Sequence, residues 1–224
     1  MAIEKEYNKW ADEHDNKTAQ YDVESRELFY SFLDFETENK KLLDIACASG
    51  HDLQYYQDTL GCNVYGVDSS DEEIEIAKQR ISSDKLFVST ADNLPFEDES
   101  FDIVVSKYAA QAFPDILKFY KDAQRVLKKN GYFVLLATHP MRHFLEKENK
   151  PRDYFSKEVV TSWIYDHTIP LSEYSHTLND YLSDYFLSNF QLLSFLESKE
   201  TPGAIDFIDN EIYPGYFIIK AKKI

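Results

Sequence analysis

The chain has 224 residues, of which 43% are hydrophobic and 15% aromatic, and its 24 Lys and Arg face 40 Asp and Glu. That hydrophobic content excludes a disordered chain, the length suits one α/β domain with an ample core, and a formal charge of −16 opposes a phosphate backbone, so no nucleic-acid partner is expected. No apolar run approaches the roughly 18 residues that span a bilayer.

The first ten residues, Met1 to Trp10, lack the apolar core of a signal peptide. Two cysteines, Cys47 and Cys62, make no disulfide framework, so a reducing cytoplasm is the expected setting. Tyr7, Trp10, Ala11 and His14 have helical spacing, and a second helix over Asp22 to Phe35 carries Leu28, Phe29, Phe32 and Leu33 on one face. Residues 1–38 thus read as a helical cap ahead of the first strand, with Tyr7 and Trp10 read first as core.

The stretch Lys41 to Gly50, K-L-L-D-I-A-C-A-S-G, is a short apolar run ending in small residues and a glycine. Leu53, Tyr56 and Leu60 follow at helical spacing, which gives strand, tight turn and helix. In an open parallel sheet ligands bind outside the carboxyl ends of the strands. Small residues there let a ligand approach the backbone, and a helix N-terminus offers unpaired N–H groups. Gly61 ends the helix, and the strand Asn63 to Val67 closes on Asp68.

Asp68 stands 18 residues beyond Gly50, where a carboxylate can accept from both hydroxyls of a ribose; the alternative is a helix cap. Ser70 and Glu73 have capping-box spacing, and Asp71, Glu72 and Glu73 suit the helix dipole without further role. Leu86 to Val88 is a third strand, Phe101 to Ser106 a fourth, and Tyr132 to Ala137 a fifth. Between the last two lies a helix opened by Pro114 and stopped by Gly131. Alternating strands and helices predict a doubly wound parallel sheet. Residues 138–175 are aromatic and irregular, as a lid would be. A capped helix at Thr177 and two strands, Gln191 to Leu196 and Tyr216 to Lys220, complete a single domain over residues 1–224.

Asp44, Ala46, Ala48 and Gly50 fall on a pattern of an acid followed by alternating glycines, and Ala91-Asp92, Leu94-Pro95-Phe96 and the strand Phe101-Asp102-Ile103-Val104-Val105 follow. Together these resemble the motifs of class I S-adenosylmethionine-dependent methyltransferases. His139-Pro140 and the segment His176 to Leu182 resemble the ubiquinone/menaquinone-biosynthesis-like small-molecule group of that class. The resemblance implies a Rossmann-like, mostly parallel seven-stranded sheet with an antiparallel C-terminal strand, N-terminal helices and a lid after strand five. It also implies S-adenosyl-L-methionine as cofactor and a small-molecule acceptor as partner. By resemblance the cofactor would be held by Tyr7, Asp44, Ala46, Ala48, Gly50, Asp68, Ser69, Asp92, Asn93, Leu94 and Ser106. Asp44 would take the methionine amino group and Asp92 the adenine amino group. Alanines at positions 46 and 48 depart from the glycine pattern, and either costs on the order of 1 kcal/mol if its φ is positive.

Methyl transfer by in-line displacement needs alignment more than covalent help. An oxygen acceptor also needs its proton removed. The catalytic candidates are His139 and Tyr108, with Gln111, His143 and His176 behind them; the alternatives are a strand cap for His139 and packing for Tyr108. No metal site is expected. Two other readings keep the same fold: a catalytically silent binding module, suggested by Ala48, and a cofactor-retaining enzyme of other chemistry such as a cyclase. A nicotinamide dehydrogenase is disfavoured, since the loop has one glycine instead of G-x-G-x-x-G.

Overall fold

Two amino-terminal helices, α1 (Glu6–Tyr21) and α2 (Val23–Ser31), precede an alternation of strands and helices. The computed structural model describes residue 3 and residues 6–21, 23–165, 168–198 and 212–224; residues 1, 2, 4, 5 and 22 of the expected cap lie outside the described residues. The alternation runs β1 (Lys41–Ile45), α3 (His51–Asp58), β2 (Asn63–Asp68), α4 (Asp71–Ala77), β3 (Leu86–Val88), β4 (Phe101–Lys107), α5 (Ile116–Val126) and β5 (Leu127–Thr138). Then come α6 (Pro140–Glu146), β6 (Val159–Ile164), β7 (Ile169–Tyr174), α7 (Leu178–Tyr181), α8 (Asp184–Asn189), β8 (Phe190–Ser198) and β9 (Tyr216–Lys223).

The main sheet has seven strands in the order β3-β2-β1-β4-β5-β9-β8. Strands β1 to β5 pair in parallel, and β9 runs antiparallel between β5 and β8. This is the expected α/β architecture. Parallel strands are covered on both faces, so they read as continuous apolar runs. One face packs Leu43, Ile45, Phe119 and Phe133, and the other packs Leu42, Leu53, Tyr56 and Val134. The chain turns one way from β1 to β2, while β4 lies on β1's other side. That reversal opens a crevice at the carboxyl ends of β1 and β4.

Three local expectations are corrected. Helix α5 begins at Ile116, where Asp115 caps it by accepting from the Leu117 amide at 3.0 Å, so Pro114 lies outside it. Asn130, not Gly131, takes the positive φ after α5. Gly131 is needed for space, because a Cβ there would stand 2.6 Å from Leu127 Cδ1 and 2.8 Å from the Asp102 carbonyl. The segment expected to be irregular contains α6 and the antiparallel hairpin β6–β7. Its strands alternate buried and exposed positions, the period of a half-buried strand, with Ile169, Leu171 and Glu173 facing inward. Among the described residues, no helix is long and apolar enough to cross a membrane.

Gly66 sits in β2 opposite Asp44 of β1. An added Cβ would fall 2.5 Å from Leu53 Cδ1 and 2.7 Å from Cys47 Sγ, beneath the β1–α3 turn. Gly66→Ala is therefore expected to destabilise the protein by about 1–3 kcal/mol through overpacking, read as a lower urea midpoint at unchanged slope. An unchanged midpoint would show that this packing has slack.

Candidate functional site

The turn after β1 is built from three left-handed residues at alternate positions, Ala46 (φ 62°), Ala48 (φ 45°) and Gly50 (φ 82°). Left-handed backbone costs an alanine roughly 1–2 kcal/mol. Local hydrogen bonds hold it there: Cys47 N–H donates to the Val67 carbonyl at 3.0 Å, and Gly50 N–H to the Cys47 carbonyl at 3.0 Å. The Ala48 amide donates to Asp68 Oδ2 at 2.9 Å, and the Ser70 amide to Asp68 Oδ1 at 2.9 Å. One carboxylate thus joins the turns after β1 and β2. A carboxylate offers about four acceptor positions, so Asp68 retains capacity for two more donors. Burial raises its pKa to about 6, against the lowering effect of those two amides. Asp44 is also buried, and burial, followed by the charges of Asp52 and Asp68, holds its carboxyl well above the usual range.

Helix α1 roofs this region. Its Asp15 pairs with His51 at 2.9 Å and Arg80 at 3.0 Å, while Arg80 donates to the Ser49 carbonyl at 3.0 Å. His14 Nδ1 meets Glu73 Oε1 at 3.0 Å. The same helix reaches the hairpin: Thr18 shares a 2.8 Å hydrogen bond with the Tyr165 hydroxyl, and Glu6 accepts from the Ser172 amide and hydroxyl, both at 2.9 Å.

These elements enclose one cavity. From the β1 and β2 ends it is lined by Asp44, Ala46, Ala48, Asp68 and Ser69, with Tyr7 on α1 and Tyr108 after β4. Its far end is walled by Gln111, Phe113, Arg142, Tyr165 and Glu173. Eight expected site residues, Gln111 among them, are therefore together. The others are elsewhere. Gly50 caps α3 and closes the turn. Ser106 is fully buried and donates to the Ile45 carbonyl at 2.9 Å, tying β4 to β1. Asp92 is exposed and accepts from Thr90 at 2.8 Å, and Asn93 is exposed beside it. The Leu94 amide is taken by the Asp122 carboxylate and its side chain packs in the core. Thus Asp92, Asn93 and Leu94 do not face the cavity, because long-range bonds to α5 draw their loop away.

His139 is likewise corrected. Its Nδ1 accepts from the Met141 amide at 3.0 Å and its Nε2 meets Glu197 at 2.8 Å, so the ring caps α6 outside the cavity. His176 Nε2 donates to the Phe113 carbonyl at 2.8 Å, and burial lowers its pKa to about 4.

Sequence reasoning missed five charged lining residues, Asp52, Glu73, Lys107, Arg142 and Glu173. The Ser70 hydroxyl does accept from the Glu73 amide at 3.1 Å, but the capping box is not closed, since the Ser70 amide belongs to Asp68. Glu73 instead turns its buried carboxylate into the cavity, and Oε2 has no partner among the described residues. Lys107 pairs with Asp52 at 3.2 Å, and burial pushes its amine down to about 7. Glu173 had a readable signal, a charged residue on the inward face of an alternating strand.

Residues 43–135 match the family described as Methyltransferase domain. The chain is 30% identical over 139 residues to the Uncharacterized methyltransferase YcgJ of Bacillus subtilis, covering 55% of this chain and 53% of that protein. It is 32% identical over 106 residues to the Demethylmenaquinone methyltransferase of Thermotoga maritima, covering 47% of this chain and 46% of that protein. The chain thus spans about half the length of the curated relatives it matches. In fold it is similar to an S-adenosylmethionine dependent methyltransferase from Mesorhizobium loti, with a TM-score of 0.69, 17% identity, and coverage of 87% of this chain and 95% of that one.

The strain in the β1 turn is measurable. Replacing both alanines, Ala46→Gly and Ala48→Gly, relieves left-handed strain of roughly 1–2 kcal/mol each against about 0.4–1 kcal/mol each of added unfolded-chain entropy. Higher stability in urea is the expected outcome. A clear loss would mean that the methyl groups contribute more by packing than they cost in backbone strain.

Proposed function

We propose that the chain transfers a methyl group from S-adenosylmethionine to a small-molecule acceptor held beneath the β6–β7 hairpin, a reading supported by the methyltransferase-domain match over residues 43–135. The observation that carries this reading is the single cavity running from the strained β1 turn and Asp68 to a polar end under the hairpin. Residues 1–38 and 138–175 then act as cap and lid of one domain. The free, buried thiols of Cys47 and Cys62 suit a reducing cytoplasm.

The residues present fit S-adenosylmethionine. Asp68 keeps acceptor positions for the two ribose hydroxyls, Asp44 is a buried carboxylate for the amino group, and the unpartnered Glu73 Oε2 asks for a donor from whatever fills the space beside Ser69. Glu73, rather than Asp92, is the carboxylate that lines the cavity beside Asp68. When bound, the sulfonium supplies an electrophilic methyl group. The protein's contribution is to hold the acceptor in line and to keep water out beneath α1 and the hairpin. The silent-module reading rests on the strained alanines and predicts no turnover.

Calorimetric titration with S-adenosylmethionine and S-adenosylhomocysteine tests the reading. Micromolar binding is expected, weakened on the order of 100-fold in Asp68→Ala, as two hydrogen bonds to a charged group would require. Absence of binding to either compound would sink the proposal. The pH dependence has a definite sign. Asp68 must be ionised to accept from both hydroxyls, and its carboxyl titrates near 6 in the free protein. Affinity should therefore be full above pH 7 and fall by up to about tenfold per unit as pH drops below 6. Asp68→Asn should lose that part of the fall; a pH-independent wild type would contradict the assignment.

A further inference from the structure

The far end of the cavity holds a cluster that nucleoside binding leaves unused. Glu173 reaches it from β7 as a buried residue, and both of its oxygens are fixed from behind. His143 Nε2 lies 2.7 Å from Oε2, and Gln111 Nε2 donates to Oε1 at 3.2 Å. His143 is fully buried on α6 and does not line the cavity, so it positions the carboxylate. Arg142 lines the cavity, but its guanidinium is committed to Glu146 at 2.9 Å and to the Trp163 carbonyl at 2.9 Å.

The bond from Gln111 Nε2 to Glu173 also fixes the amide, whose Oε1 is buried without a partner among the described residues. A buried carbonyl oxygen left unsatisfied is costly. Two neighbouring acceptors, the Glu173 carboxylate and Gln111 Oε1, therefore have capacity for a hydrogen-bond donor. An anionic group is a poor occupant, because Asp44, Asp68 and Glu73 line the same cavity. Phe113 and Tyr165 also wall this end, with Ile164 and Leu171 among the apolar lining, and such aromatic walls suit a flat ring.

We propose that Glu173, held by His143 and Gln111, receives the proton of the acceptor's nucleophile, and that this acceptor is a neutral aromatic hydroxyl compound, methylated on oxygen. This rests on the methyltransferase reading above and narrows it. A lone pair of the hydroxyl oxygen forms the new O–C bond to the methyl carbon. The C–S bond breaks with its electron pair remaining on sulfur, which becomes a neutral thioether. The hydroxyl proton passes to the Glu173 carboxylate, leaving an aryl methyl ether, and returns to water after release. Burial raises the pKa of Glu173, but the hydrogen bond and charge of His143, with Arg142, outweigh it and hold the carboxyl below its usual range. The carboxylate is thus ionised at neutral pH. So weak a base suffices, because a hydroxyl oxygen becomes strongly acidic as its bond to carbon forms.

The probe is 4-nitrophenol, whose anion alone is yellow, added at pH 7 to protein loaded with S-adenosylhomocysteine. Wild type is expected to bind the protonated form, so the yellow band bleaches on binding. Glu173→Gln should bind about tenfold more weakly and without the bleach, and Gln111→Leu, which keeps the carboxylate, should weaken binding while retaining it. Preferential binding of the yellow anion to wild type, an unchanged response in Glu173→Gln, or no binding to wild type would each overturn the proposal. Calorimetry of S-adenosylhomocysteine on the same samples separates the two failures. If that compound binds wild type and Glu173→Gln alike while the phenol is indifferent to Glu173, the proton-acceptor role alone is wrong. If it binds neither, the methyltransferase reading fails and this proposal falls with it.

Discussion

A single buried carboxylate, Asp68, binds the two halves of the site into one surface. Its oxygens accept one amide from the turn after β1 and one from the turn after β2, each at 2.9 Å. Removing it would leave two inward-facing N–H groups without a partner, each costing about 1–3 kcal/mol when buried. Its own desolvation is visible in a pKa raised to about 6 despite those bonds. A buried acid with a raised pKa lowers stability as pH rises between its unfolded and folded values. The chain accepts that cost in return for a fixed anion where the strand ends diverge.

The roof follows from the same electrostatics. Acids gathered under α1 need cations or neutral donors, and α1 together with the loops beneath it supplies them. His14 meets Glu73, Asp15 bridges His51 and Arg80, and Arg26 joins Lys107 at Asp52. Each pair spans elements distant in sequence: the His14 and Asp15 pairs pin α1 over the β1 turn and α4, and Arg26 and Lys107 tie α2 and β4 to α3. Thr18 and Glu6 extend that roof to the hairpin. The cover is held by these polar contacts and by a small apolar cluster, in which Tyr165, Ile169 and Leu171 of the hairpin region pack against Tyr7, Trp10 and Tyr21 of α1. The sheet beneath is held by two large apolar clusters. Packing therefore fixes the sheet, while charge and packing together fix the cover.

That division explains what could be read from the sequence. Strands β1, β2, β4 and β5 declare themselves because apolar runs and turn residues are local signals. Asp44 and Asp68 sit at strand positions that the same signals locate. Glu73 was not legible, since a helix dipole already accounts for an acid in a first turn, and only the remote His14 reveals its direction. Asp92 lies outside the cavity for the converse reason: its motif is local, but Asp122 and Arg125 of α5 hold the Leu94 and Phe96 backbone. The hairpin was hidden by its aromatics, which drew attention from the alternation beneath them. His139 was visible as a strand-end histidine, yet both its nitrogens are used elsewhere.

The alanines of the β1 turn bear on function through geometry. Position 46 and position 48 keep the left-handed backbone that glycine adopts freely, so the peptide N–H groups point as a glycine turn would point them. What changes is the stored strain and two added methyl groups on the cavity wall. Strain of roughly 1–2 kcal/mol per alanine is supported by four local hydrogen bonds to Cys47, Ala48, Gly50 and Ser70 amides. A turn held in shape at that cost argues against decay of the site, because a chain without use for the conformation would relax it. The methyl groups narrow the space beside Asp44, and their effect belongs to how tightly a ligand sits rather than to whether its polar partners remain.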